Sequence, residues 1–359
     1  MIDATAIAPL RVLIVGAGRR IRNNYLPVLS CLEPQFKAAG IVSPTPTRRS
    51  LLAAQWSLPE YSSLDQVDLS QIDVIAISIP PSQNAKVLRQ LKQLQPAGAR
   101  AKLVIDTPIA AGPTELADIS PALEGFGYVA VAEDYMNFPP HVLMRQAVEA
   151  GVIGTPKSIV LNNTGYFYHG LALIRCFTGF KPVSRSHRQV MSRSAIAVHY
   201  RVAGLQATVI GPYRRHTAGG NVIDGTMGTI TEFMQDISPG DKNIYYLRTL
   251  REAGEIIGYE IDGTGMSLAL PELTAMRALD FPDKSDLNLL RGWGLMQVFK
   301  SVCDPGNFNR KYSIKEAFYD SIVSRLATRG LFPFDPFVAI GWNGLGALRI
   351  AGLLRSKLK

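Results

Sequence analysis

Cysteine is scarce in this chain, and what there is does not cluster. Cys31, Cys176 and Cys303 are far apart, odd in number and without the close spacing of a metal site. That argues against a disulfide framework or a thiolate metal centre and for reduced thiols in a cytoplasmic protein. The chain also lacks an uncharged apolar run long enough to span a bilayer. Its N-terminus shows no basic segment followed by a long apolar core, so no secretory leader is expected. The net charge is +9 and the isoelectric point near 9.5, yet no aromatic-interleaved basic stripe accompanies them, which speaks against nucleic acid as a partner. No repeat or low-complexity tract is visible, and the lone Asn162-Asn163-Thr164 sequon carries little weight in such a protein.

What is present is 359 residues with 47% hydrophobic and 19% charged side chains, a globular composition too long for one ordinary core. The first ~130 residues alternate short apolar runs with helical stretches, the pattern of a parallel sheet covered on both faces. Strands are expected at Arg11–Val15, Ala39–Val42, Val74–Ile79, Leu103–Ile105 and Tyr128–Ala132, with helices around Arg48–Trp56 and Ser82–Gln95. From about Gly154 the texture changes. KSIVLNN, SAIAVHYRV, LQATVIG, GTITEF and NIYYLRTLRE follow closely, separated by Gly, Pro and Ser, and their alternation predicts a broad, mostly antiparallel sheet with one open face. Two helices, Ser285–Val302 and one starting at the capping-box pattern Ser313-Ile314-Lys315-Glu316, close that region. The expected division is a Rossmann domain at 1–135, a substrate and oligomerisation domain at 136–330 and a C-terminal extension at 331–359.

The chemistry-bearing motif is Gly16-Ala17-Gly18-Arg19-Arg20-Ile21, placed between the first strand and a helix. Gly16 permits the tight turn and Gly18 lets a pyrophosphate approach the backbone at a helix N-terminus. The third glycine of the usual fingerprint is Ile21. Where NAD-binding sites usually carry a carboxylate at the end of the second strand, this chain has Ser43, then Thr45, Arg48 and Arg49; Glu60 lies too far downstream for that role. Hydroxyls and guanidinium forks suit a 2′-phosphate and a carboxylate repels one, so NADP(H) is expected over NAD(H). Arg19, Arg20 and Arg22 oppose the helix dipole unless an anion neutralises them, a further sign of a pyrophosphate. Thr45 or Thr47 also serves as a helix cap.

These residues, taken in order, resemble the Gfo/Idh/MocA family of NAD(P)-dependent oxidoreductases over about residues 8–328. The resemblance is carried by the glycine turn, by Ile77-Ser78-Ile79-Pro80-Pro81-Ser82-Gln83-Asn84, and by Asp106-Thr107-Pro108 at the place of the family's Glu-Lys-Pro. It continues through Val131–Pro139, Ala147–Val160, and His169 ten residues before Gly179. It implies a Rossmann domain joined to an α/β domain with a large open sheet, used for homodimers or homotetramers. It also implies cofactor contacts from Pro80, Asn84, Asp106, Thr107 and Pro108. The family's lysine is Thr107 here and the aspartate that orients its histidine is Gly165, so only His169 remains of the catalytic set.

With that set altered, His169 and either Tyr166 or Tyr168 are the candidates to handle the proton, while Glu133 and Asp134, at a strand's C-terminal end, read as alternative acids or, more simply, as solvated loop carboxylates. One of His199 and Tyr200 should face the open side of the sheet. Three functions remain: a keto-sugar or polyol dehydrogenase, a reductase of a C=N or conjugated double bond such as biliverdin or thiazolinyl imine reductases, and a nucleotide-binding scaffold without turnover. A small-molecule substrate is expected for the first two. Beyond Gly330 the resemblance stops, and the Phe-Pro-Phe segment of the extension reads as a piece that docks on a neighbouring surface.

Overall fold

A computed structural model describes residues 8–95, 100–110, 113–163, 165–214, 219–232 and 243–331. The extension beyond Leu331 and Thr164 of the sequon lie outside them.

The chain forms two compact units, Met1–Asp134 with Glu272–Ile314, and Tyr135–Pro271 with Lys315 onward. The first is built on six parallel strands: β1 (Leu10–Val15), β2 (Phe36–Val42), β3 (Glu60–Tyr61), β4 (Val74–Ile77), β5 (Lys102–Asp106) and β6 (Tyr128–Ala132). Their order is β3-β2-β1-β4-β5-β6. Strand β4 is buried along its whole length and β1 along its last four residues, as parallel strands covered on both faces must be. Between β1 and β2 the helix opens with a π-helical turn, Ile21–Tyr25, and continues as α1 (Leu26–Cys31). Helices α2 (Pro46–Gln55), α3 (Asn84–Leu94) and α4 (Pro113–Leu123) complete the crossovers. The strand order reverses between β1 and β4, which makes the carboxyl ends there the binding position of the fold.

The second unit carries a nine-stranded sheet of order β15-β14-β13-β12-β11-β7-β10-β9-β8. Its strands are β7 (Pro156–Asn162), β8 (Val183–Ser192), β9 (Ala195–Val202), β10 (Leu205–Gly211), β11 (Gly220–Gly225), β12 (Gly228–Thr231), β13 (Asn243–Glu252), β14 (Glu255–Ile261) and β15 (Met266–Ala269). Pairing is antiparallel except for β7 with β10 and β12 with β13. Helices α5 (Pro139–Glu149), α6 (Phe167–Phe177) and α9 (Ile314–Thr328) belong to this unit. Arg175 on α6 is 3% exposed and reaches α9, where it pairs with Asp320 at 2.7 Å and with Glu316, its guanidinium 4.2 Å over the Tyr319 ring.

One expectation needs correction. The segment 272–314, with α7 (Pro271–Ala278) and α8 (Asp286–Cys303), belongs to the first unit, so that unit is not continuous in sequence. The reason is apolar. Phe299 of α8 packs edge-on against Phe36 (5.5 Å) and Tyr25 (6.1 Å), all three fully buried. The anchoring is also polar: Asn24 Nδ2 donates to the Asn288 carbonyl at 2.9 Å, and Lys102 Nζ to the Val302 carbonyl at 3.0 Å.

Candidate functional site

In the first unit the carboxyl ends of β1, β2 and β4 surround a cleft of about 830 Å³. Gly16 to Arg20, Ser43, Pro44, Thr45, Arg48, Ser62, Ser63, Ser78, Pro80, Gln83 and Lys86 line it, with several apolar neighbours. Gly16 takes φ +123°, and a Cβ there would fall 2.3 Å from the Ser78 carbonyl oxygen, so the loop closes against β4 only with glycine. At Gly18 a Cβ would meet nothing within 4 Å. No internal packing demands glycine at 18; it leaves open the space a pyrophosphate would take. By that test the loop fits a dinucleotide.

Among the described residues the cleft lining contains four cations, Arg19, Arg20, Arg48 and Lys86, and no carboxylate. Ser43 is buried at the end of β2, and its Oγ accepts from the Thr45 amide at 3.3 Å. Thr45 is the residue before α2, but its side chain makes no capping hydrogen bond. Arg19, Arg22 and Arg48 also converge on a smaller adjoining pocket of about 260 Å³ with Ala17, Gly18, Leu51 and Leu52.

Other sequence-named cofactor residues are placed differently. Arg49 does not line the cleft; it donates to Glu60 (2.9 Å) and to the Ser43 carbonyl (2.6 Å). Glu60, remote in sequence, lies beside β2 because β3 pairs with it, and the Ser50 hydroxyl and Arg49 hold it below its ordinary carboxylate range. Asn84 is buried outside the cleft and donates to the Ile109 carbonyl at 2.7 Å. Asp106, Thr107 and Pro108 follow β5 behind the lining, with Thr107 Oγ1 3.5 Å from the Ala132 carbonyl. Arg20 lines the cleft yet is tied inward to Asp106 (3.5 Å) and Asp134 (3.0 Å) rather than left to an anion. Glu133 and Asp134 are buried, not solvated as expected; the backbone of Asp134 packs against Gly294 of α8, where a Cβ would fall 2.7 Å from its carbonyl oxygen.

In the second unit the structure brings His169, Tyr166 and Tyr168 together. His169 is 6% exposed and lies between two rings, stacked on Tyr135 at 4.3 Å and tilted against Tyr168 at 4.0 Å. Tyr166 is 53% exposed and meets Tyr213 edge-on at 5.6 Å. Tyr135 is the member that sequence reasoning passed over. A Cβ at Gly165 would fall 2.8 Å from the Tyr135 ring and 3.2 Å from the His169 Cβ. Glycine at 165 is therefore the condition for this ring to reach the histidine.

Below the aromatic cluster lies a buried polar chain. The Tyr135 carbonyl can only accept, so His141 Nδ1 carries the proton toward it and Nε2 accepts from Asn221 Nδ2 at 2.9 Å. The Asn221 backbone N–H donates to Glu232 Oε2 at 2.7 Å. Burial lowers His141 to about 4 and raises Glu232 to about 7. On β9, Tyr200 faces the core; His199 takes the other face, hydrogen-bonded to Thr208 and Gln189 at 2.9 Å each.

With this geometry in hand, comparison with known proteins assigns the first unit. Residues 10–135 match the Gfo/Idh/MocA family model, an oxidoreductase family with an NAD-binding Rossmann fold. The N-terminal part of the chain is a nicotinamide-dinucleotide-binding Rossmann domain of that type. No curated protein sequence matches the chain. Solved structures with the same fold include an oxidoreductase from Agrobacterium radiobacter in complex with NAD+, L-tartaric acid and magnesium. That match has TM-score 0.64 and 12% identity, covering 90% of this chain and 96% of the other. Myo-inositol 2-dehydrogenase from Lactobacillus plantarum gives 0.63 and 12% over 90% and 97%. Levoglucosan dehydrogenase in complex with NADH and levoglucosan gives 0.63 and 14% over 91% and 100%. At such identities the likeness is one of fold. Among the described residues no helix is long and apolar enough to cross a membrane.

Proposed function

We propose that the chain is an NADP(H)-dependent oxidoreductase that passes hydride between the nicotinamide and a small polar substrate of the keto-sugar or polyol type. The observation that carries the cofactor choice is the cleft lining, which among the described residues offers Arg19, Arg48 and Lys86 and no carboxylate, with Ser43 at the end of β2. A ribose 2′-phosphate placed there meets the Ser43 and Thr45 hydroxyls and the Arg48 guanidinium, and no like charge. Arg19 and Arg22, converging with Arg48 on the adjoining pocket, add to that field. The substrate class rests on the fold shared with enzymes of inositol and levoglucosan.

Bound in the cleft, the cofactor would supply hydride chemistry. The chain would hold its pyrophosphate against Gly16–Gly18, and His169 with Tyr166 or Tyr168 would move the proton. Thr107 supplies no cation and Gly165 no carboxylate, so the histidine works from within an aromatic pocket. That pocket also suits reduction of an already electrophilic C=N or conjugated bond, which needs a proton donor but no strong base. The three cysteines are unpaired with one another, consistent with a cytoplasmic setting, and the open face of the nine-stranded sheet is the surface we assign to a homodimer or homotetramer.

Calorimetric titration of the full chain with NADPH, NADH and their oxidised forms tests the reading. NADPH binding at least tenfold tighter than NADH is expected. Equal affinities overturn the 2′-phosphate assignment, and no binding by any form overturns the oxidoreductase reading.

A further inference from the structure

The second arginine of the glycine loop is turned away from solvent into a cluster of opposite charge. Arg20 Nε lies 3.5 Å from Asp106 Oδ1 and Nη2 3.0 Å from Asp134 Oδ2, while Nη1 donates to Asn24 Oδ1 at 3.0 Å. Its guanidinium sits 5.8 Å from the Tyr25 ring centroid. Ser78, itself in the cleft lining, donates its hydroxyl to Asp106 Oδ2 at 2.8 Å. Two carboxylates thus share one guanidinium, and the buried Glu133 carboxylate lies within 4.8 Å of Asp134, so formal negative charge is in surplus here.

Its place in the sheet matters. Asp106 ends β5, Asp134 follows β6, and Ser78 follows β4. All three are on the far side of the β1/β4 reversal from Ser43 and Arg48. A dinucleotide laid across that reversal puts its 2′-bearing adenosine half beyond β2 and its nicotinamide half beyond β4 and β5. Arg19 and Arg48 of the lining lie at the first half, and the carboxylates paired with Arg20 at the second.

We propose that the Arg20–Asp106–Asp134 cluster sets the redox bias of the bound cofactor, favouring the oxidised, cationic nicotinamide over the reduced, neutral one. This rests on the reading of the cleft as a nicotinamide-dinucleotide site. The adenosine, both phosphates and both riboses are identical in the two forms, so charges near them cancel from the ratio of affinities. Only charge near the ring remains, and a partly buried carboxylate acts on it through a dielectric far below that of water. Hydride donation creates that positive charge, and the acceptor takes the hydride together with a proton. A site that stabilises the charge makes the bound couple a stronger reductant than the free one, and so suits this chain to substrate reduction.

The test needs no substrate. The full chain, as wild type, Asp106→Asn and Arg20→Gln, is titrated with NADP+ and with NADPH in one buffer. In Asp106→Asn the oxidised form should weaken relative to the reduced form by about fivefold, equivalent to about 20 mV for a two-electron couple. In Arg20→Gln the ratio should move at least threefold the other way, since a cation is lost and both carboxylates stay. A thermal melt confirms that each variant folds, and if Asp106→Asn does not, the opposite shift in Arg20→Gln decides alone. Binding of both forms with the ratio unmoved overturns the inference. Failure of the wild type to bind either form overturns the cofactor reading, and this inference with it.

Discussion

Gly165 and Tyr135 occupy one volume between them. The ring of Tyr135 takes the space that any side chain at 165 would fill, at 2.8 Å from the ideal Cβ, and from there it stacks on His169. Gly165→Ala should therefore push the ring off the histidine and cost about 1–3 kcal/mol, as overpacking of a full site does. Combining it with Tyr135→Ala should recover part of the loss, because the competing ring is gone. Urea unfolding of both single variants and the double variant gives the coupling; strict additivity would mean that the two residues do not compete.

Cofactor choice is expected to turn on one side chain. Ser43→Asp places a carboxylate at the buried end of β2, where it repels a 2′-phosphate and accepts from ribose hydroxyls. NADPH affinity should fall at least tenfold while NADH affinity holds or rises. Parallel loss of both cofactors would instead indicate damage to the loop.

The ion pair between α6 and α9 is buried enough that breaking it is costly. Asp320 is 1% exposed, and its removal leaves Arg175 with the more exposed Glu316 as its remaining carboxylate partner. Asp320→Asn should destabilise the protein by roughly 1–3 kcal/mol, because a charged hydrogen bond is weakened while Glu316 still balances part of the Arg175 charge. Arg175→Met with Asp320→Leu, which removes both charges, should cost less than that single substitution. Denaturant midpoints compare the two.

Stability against pH should carry the signature of His141. Its folded value is near 4, below the ordinary value of 6.5. The unfolded chain therefore takes up the proton first as pH falls, and stability drops from pH 6.5 down to about 4. The loss between pH 7 and 4.5 is about 2–3 kcal/mol. Glu232 works in the opposite sense: raised to about 7, it stays protonated in the fold and contributes stability that grows as pH falls from 7 to 4.5. The quantity to measure is thus the difference between wild type and His141→Gln across that window. A difference independent of pH would show that His141 is not held neutral.

Much of this was legible along the chain. The strand, glycine turn and helix order at residues 10–31 is local, and so is the place of Ser43 at the end of an apolar strand. His169 and its flanking tyrosines are one turn of one helix. What was not legible depends on partners far apart in sequence. Tyr135 meets His169 across 34 positions, and Arg20 finds its carboxylates at Asp106 and Asp134, so neither side chain could be aimed from local pattern. Strand β8 escaped notice for a different reason. Its residues after Val183 are mostly exposed, as befits a sheet edge, so hydrophobic alternation never develops. Glu60 is brought beside β2 by the short β3 yet stays out of the cleft lining, held by Arg49 and Ser50.

The placement of α8 has a consequence for how the protein is made. Phe36 and Tyr25 are synthesised early, but Phe299, which covers them, comes more than 260 residues later. Throughout that interval the nascent sheet exposes an aromatic surface with no covering helix, and the whole second sheet is produced in the meantime. Such a surface is aggregation-prone until α8 is made, and a fragment ending at residue 135 would keep it bare for its lifetime.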